Sequence, residues 1–262
     1  MLIALLPALC GCDNVFEYHP YDTQFSGAKY INSSNIEKVE TQMAGRTGMK
    51  FAFISDNHIW YTSARRIVDD INSRTDIDFV IHGGDLTDCG TAYEYVKSRD
   101  ILQGLKVPFV ALIGNHDFLG TGDQVYQKMF GELDFSFIAE DVKFVCLNTN
   151  ATEYDYLAAV PNFDYMESES KADTDRWSRT VVCMHARPGS EQFNNNVRKT
   201  FQYMVCQFPG LLFCLNGHDH ALQIEDLHGD GVMYYGAPSA NKLTYFIFTI
   251  TDEGYEYEII DI

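Results

Sequence analysis

Three runs in the first half of the chain, KFAFIS (50–55), DFVIHG (78–83) and PFVALIG (108–114), are apolar with almost no alternation. Strands read that way when both of their faces are buried. The segments between them, YTSARRIVDDINSR and TAYEYVKSRDILQGL, place apolar residues three or four apart, which predicts helices. Strand, helix, strand, helix, strand commits the start of the chain to a mostly parallel α/β sheet, because parallel neighbours need a crossover between them.

Further strand-like runs follow: FSFIAE (135–140), VKFVCLN (142–148), TVVCMH (180–185), LLFCLNG (211–217), VMYYGA (232–237), LTYFIFTI (243–250) and GYEYEII (254–260). From about residue 135 less helix separates them, which suits mixed or antiparallel pairing. VRKTFQYMVCQFPG (197–210) is a helix candidate stopped by Pro209 and Gly210. Residues 13–49, rich in polar and turn residues, are read as a leader wrapped on the rest. No internal repeat or long polar linker divides the sequence, so 13–262 is taken as one domain.

The ends of the runs carry the chemistry. KFAFIS runs into Asp56, Asn57 and His58; DFVIHG into Gly84, Asp85, Leu86, Thr87 and Asp88; PFVALI into Gly114, Asn115, His116 and Asp117. TVVCM ends at His185, and LLFCLN runs into Gly217, His218, Asp219 and His220. The carboxyl ends of strands in an α/β sheet are where sites are usually built. In extended chain, residues two apart face the same way, so Asp56 with His58 and His218 with His220 each present a ligand pair. Carboxylate oxygens and imidazole nitrogens without thiolates suit manganese, iron or zinc in a reactive centre rather than a structural zinc site. Glycines at 84, 114 and 217 leave room where the backbone must turn or approach a ligand. His19 and His82 stand outside the pattern and are read as surface or satisfied core residues.

In this order, DxH, GDxxD, GNHD, H and GHxH, the motifs resemble those of the calcineurin-like metallophosphoesterases, from SDNH at 55 to GHDH at 220. The resemblance implies a four-layer α/β/β/α sandwich of two mixed sheets flanked by helices, holding two divalent metal ions. By position, Asp56, His58 and His220 would bind one ion, Asp85 would bridge, and Asn115, His185 and His218 would bind the other. His116 would be the general acid beside the leaving group and Asp88 the carboxylate that orients it. Asp117 would support a ligand from behind or cap the next segment. The implied activity is hydrolysis of a phosphomonoester or phosphodiester by a metal-bridging hydroxide. A catalytically silent binding scaffold of the same fold is the alternative. Beyond the motifs, Arg187 in MHARPGSEQFNNN is an anion clamp or a surface arginine, and Asn194 and Asn195 border the substrate pocket.

Charge narrows the substrate. Against 19 Lys and Arg stand 37 Asp and Glu, a net charge of −18, which repels a nucleic-acid backbone. A small phosphoester is therefore the expected partner, with no nucleic-acid binding. The acids gather at 153–175 and in the last dozen residues, as solvated loops and edges do. The opening MLIALLPALCGCDN has an apolar run about half the length of a membrane span. LCGC at 9–12 resembles the lipobox of bacterial lipoproteins, with Cys12 the lipidated residue; residues 1–12 are thus expected to be the end of an export signal. An envelope location, with membrane contact through that lipid alone, follows; a cytoplasmic one is the alternative. The other cysteines, Cys10, Cys89, Cys146, Cys183, Cys206 and Cys214, form neither CxxC pairs nor a disulfide framework and are assigned no chemistry.

Overall fold

A computed structural model describes residue 19, residues 21–153 and residues 159–262. The expected signal segment, with Cys10 and Cys12, lies outside the described residues. Among the described residues eleven strands form two sheets. The first has the order β11(Gly254–Asp261), β10(Thr244–Thr251), β1(Met49–Ile54), β2(Phe79–His82), β3(Phe109–Ala111). The second has the order β4(Phe135–Ala139), β5(Val142–Leu147), β6(Arg179–Met184), β7(Leu211–Asn216), β9(Met233–Gly236), β8(Gln223–Asp226). In the first sheet β1, β2 and β3 are parallel and β10 and β11 antiparallel; in the second β5, β6, β7 and β9 are parallel and β4 and β8 antiparallel.

The near-continuous apolar strands are explained by three hydrophobic layers. Alternate residues of β1 and β2, such as Ala52, Ile54 and Val80, pack with Ile67, Val68 and Ile71 of α2(Tyr61–Ser73), Tyr95 and Leu102 of α3(Ala92–Leu102) and Val125 and Met129 of α4(Gly122–Met129). Their other faces meet the second sheet: Phe51, Phe53 and Phe79 pack with Phe144, Val181 and Phe213. Phe51 stacks between its register partners Phe79 and Phe248 at centroid distances of 5.1 and 5.4 Å, while Phe144 meets it edge-on at 5.3 Å. Outside the second sheet, Val182, Met184 and Cys214 pack against Met166 of α5(Phe163–Glu169) and Phe201 and Val205 of α6(Arg198–Val205). The result is an α/β/β/α sandwich.

The expected leader is corrected in part: residues 31–43 form a helix, α1(Ile31–Met43), which closes one side of the sandwich. It lies over β3 and β4, the edge strands of the two sheets. Asn32 exchanges hydrogen bonds with both Ala111 N and Ala111 O, Asn35 Nδ2 donates to Phe109 O, and Glu40 Oε1 accepts from Ile138 N. Side-chain amides and a carboxylate thus satisfy edges that would otherwise be open to another strand. Pattern reading passed over α1 because part of its buried face is asparagine. It also passed over the short elements α4, α5 and β8. No described helix is long and apolar enough to cross a membrane.

Candidate metal centre

The loops after β1, β2, β3, β6 and β7 meet at one end of the sandwich. Asp56, His58, Asp85 and His220 bring ligand atoms within 4.8 Å of one another, and so do Asp85, His185 and His218. Asp85 belongs to both groups, the position the motif order assigned to a bridging ligand. Asn115 Oδ1 lies 3.1 Å from His185 Nε2 and 2.9 Å from His218 Nδ1, on the second group.

The route to this convergence differs from the extended-chain argument. β1 ends at Ile54 and β7 at Asn216, before the ligand pairs. Asp56, His58, Asp85, His218 and His220 all have positive φ, between 44° and 70°. A non-glycine residue in that region costs on the order of 1–3 kcal/mol unless its surroundings hold it there. They do: Asp56 N donates to Gly84 O, His58 N to Asp85 O, and His218 N to Asp56 Oδ2. Tight left-handed turns, not strand pleating, point the side chains inward. Two glycines make room for them. A Cβ on Gly114 would overlap the backbone nitrogen and carboxylate of Asp85, and one on Gly217 would overlap Ser55 Oγ and crowd Asp56.

Electrostatics explains what the cluster is built to hold. Asp56 Oδ1 and Asp85 Oδ2 are buried and accept no hydrogen bond of good geometry, although imidazole nitrogens lie 3.2–3.9 Å away. His58 Nε2 and His220 Nε2 face each other at 3.0 Å, which requires a proton or a cation between two lone pairs. Burial works against charge on Asp56 and Asp85, yet the neighbouring histidines outweigh it and hold both carboxyls below their ordinary range. Burial likewise disfavours the His185 cation, but the Asp85 carboxylate 3.3 Å away and the Asp56 charge push its pKa up to about 10. His220 is raised too, chiefly by the Asp56 carboxylate 3.2 Å away, whereas burial lowers His58 and His218. Two buried carboxylates therefore retain protons on nearby imidazoles, and a divalent cation would supply the same charge. The donor set fits.

His116 and Asp88 sit beside the cluster in a different relation from the one expected. An Asp88 carboxylate oxygen lies within 4.8 Å of ring nitrogens of both His58 and His116, with Oδ1 3.3 Å from His58 Nδ1. His116 Nδ1 donates to the backbone carbonyl of Asp88 at 2.8 Å, and His116 N donates to Asp85 Oδ1 at 2.9 Å. A main-chain oxygen is thus the hydrogen-bond partner of His116 Nδ1.

Asp117 is fully buried and accepts from Leu86 N, Thr87 N, Thr87 Oγ1 and Gly114 N, which ties the loops after β2 and β3 together. Arg187 is committed elsewhere: Nε donates to Asp219 Oδ2 at 2.5 Å and to Gln223 Oε1 at 3.1 Å. An arginine already paired with a carboxylate is not placed as an anion clamp. Asn195 holds its own loop, accepting from Gly189 N and donating to Ser190 O, and Asn194 Oδ1 accepts from Asn196 N. From that loop it is Glu191 and Gln192 that line the cavity over the cluster, of about 550 Å³. Glu191 Oε1 lies 3.3 Å from His218 Nε2; nothing in its spacing marked it. His82, the last residue of β2, is fully buried behind the cluster, with Nδ1 accepting from Gly84 N.

Comparison with known proteins agrees with this geometry. The family model for calcineurin-like phosphoesterase matches residues 49–222. A 3′,5′-cyclic-nucleotide phosphodiesterase of Nostoc sp. (strain PCC 7120) is 27% identical over 174 residues, covering 63% of this chain and 64% of the relative. The chain thus spans less than two thirds of that relative's length. Among solved structures, GAP50, the anchor in the inner membrane complex of Plasmodium, aligns with a TM-score of 0.65 at 9% identity, over 82% of this chain and 85% of its own. The purple acid phosphatase PPD1 of yellow lupin aligns with a TM-score of 0.59 at 14% identity, over 82% and 53%. At such identities the two structures show a shared fold.

Proposed function

The chain belongs to the calcineurin-like phosphoesterases, and from that membership we propose that it is a metal-dependent phosphodiesterase acting on a small diester, with 3′,5′-cyclic nucleotides the first substrates to test. The observation that carries the reading is the pair of ligand groups sharing Asp85. Asp56, His58 and His220 would hold one divalent ion, Asn115, His185 and His218 the other, with Asp85 between them. When bound, two such ions supply the positive charge that holds a phosphoryl group and activates a water for attack on it.

The chain's own groups supply the rest. His116 Nδ1–H is spent on the Asp88 carbonyl, so Nε2 is the nitrogen left to pass a proton to the departing oxygen, as a general acid does. The Asp85 Oδ1 bond to His116 N fixes that ring relative to the ligand set. The Asp88 carboxylate, 3.3 Å from His58 Nδ1, places a negative charge behind His58, whose Nε2 lies 3.9 Å from Asp56 Oδ1 and 3.5 Å from Asp85 Oδ2. The phosphodiesterase relative favours a diester over a monoester, and the net charge of −18 favours a small substrate over a long polyanion. An envelope location belongs to the same proposal and rests on the LCGC segment alone.

The test is p-nitrophenol release by manganese-loaded protein from bis(p-nitrophenyl) phosphate and from p-nitrophenyl phosphate, with and without a chelator. The expected result is chelator-sensitive turnover that favours the diester. Turnover that persists in chelator would overturn metal dependence, and a preference for the monoester would overturn the diester assignment.

A further inference from the structure

A second recess, of about 500 Å³, shares His220 with the cavity over the ligand cluster. His220 lines both, so the recess adjoins the cluster. The two cavities differ in chemistry. Around the cluster the walls are Asp, Asn, His, Glu and Gln, while the recess presents Leu222, Pro238 and Ile259, with Lys242, Thr244 and Asp261 at its border. Leu222 and Ile259 are 41% and 43% exposed, apolar surface that the fold leaves uncovered. Chain strain contributes to the border. Leu243 has φ of 57°, a conformation costly for a residue with a bulky side chain. It is held by Leu243 N donating to Ala240 O and Ile262 N donating to Leu243 O. That turn ends the 3-10 segment Ala240–Lys242 at the recess. Lys242 makes no ion pair among the described residues, on a chain with almost twice as many acids as bases.

Resting on the phosphodiesterase reading, we infer that this recess is the specificity pocket for the organic group of the ester and that it takes a flat heterocycle such as a nucleobase. Leu222, Pro238 and Ile259 cover the faces of the ring. Lys242 as donor and Asp261 as acceptor meet its polar edge, a combination that a plain alkyl or lipid alcohol does not use. A few placed polar groups on an apolar wall are the usual composition of small-molecule sites.

Direct binding to the metal-loaded protein separates this from the hydrolase reading. Calorimetry with adenosine 5′-monophosphate and with inorganic phosphate compares a ligand that spans both cavities with one that occupies only the cluster. The wild type is expected to bind the nucleotide about tenfold or more tighter than phosphate. In the double variant Leu222→Asn, Ile259→Asn that difference disappears while phosphate affinity stays within about twofold; both positions are partly exposed, so the fold tolerates the change. Lys242→Gln is expected to remove part of the difference. Equal affinities in the wild type, or a difference that survives the double variant, would overturn the pocket. A protein that shows the difference yet hydrolyses no ester keeps the pocket and loses the phosphodiesterase reading.

Discussion

Asp88 and His116 are neighbours, and substitution distinguishes the roles proposed for them. His116→Ala removes the proton donor without touching the ligand set, so the rate is expected to fall about 10²- to 10⁴-fold with metal content unchanged. Loss of metal in that variant would show His116 to be a ligand instead. Asp88→Ala removes the carboxylate 3.3 Å from His58 Nδ1, so metal affinity is expected to fall about 10- to 100-fold, measured by competition with a chromogenic chelator. An unchanged affinity with an altered pH–rate profile would restore the sequence-based assignment, in which Asp88 acts on His116. A third residue-scale outcome concerns protons. His185, raised to about 10 from 6.5, is protonated at neutral pH in the metal-free chain. Metal-free, its stabilising contribution is complete below 6.5 and is lost as pH rises through about 10. A cation must displace that proton, so affinity is expected to rise with pH from 6 to 9 and calorimetry in buffers of different ionisation enthalpy to show proton release. Uptake of protons, or none exchanged, would contradict the assignment.

At the scale of elements, α1 seals two sheet edges through polar side chains, which makes its contribution measurable. Asn32→Ala strips the buried Ala111 N–H of its acceptor and is expected to cost about 1–3 kcal/mol in urea unfolding. Glu37→Ala, exposed on the same helix, is expected to stay within about 0.5 kcal/mol. The same helix shows where sequence reading stops. β1, β2, β5 and β6 were legible because burial on both faces leaves a run of apolar residues that nothing else in a soluble chain produces. α1 was not, because Asn32 and Asn35 are buried for their hydrogen bonds and so break the apolar periodicity. At the site, residue types and order were legible, since the motifs fall directly after strands. Side-chain aim was not: that His116 Nδ1 meets the Asp88 carbonyl depends on backbone dihedrals that spacing does not encode, and Arg187 met Asp219 through a loop pairing 32 residues apart.

For the whole molecule, the contrast is between a chain of net charge −18 and a centre that two divalent ions would make cationic. A small diester feels mainly the centre, while a polynucleotide must bring many phosphates against the acidic surface. Isolated diesters are therefore expected to be turned over faster than the same bond within an oligonucleotide at low salt, with the gap narrowing as salt screens the exterior; a gap independent of salt would assign the difference to sterics. The outcomes at the site presuppose that the five strand ends build a shared metal centre around Asp85. The most direct check is the metal content of purified, dialysed protein by mass spectrometry, for the wild type and Asp85→Asn. Two ions per chain in the wild type, falling to one or fewer in the variant, is the predicted result, and a wild type that retains none, or a variant that retains both, would contradict it.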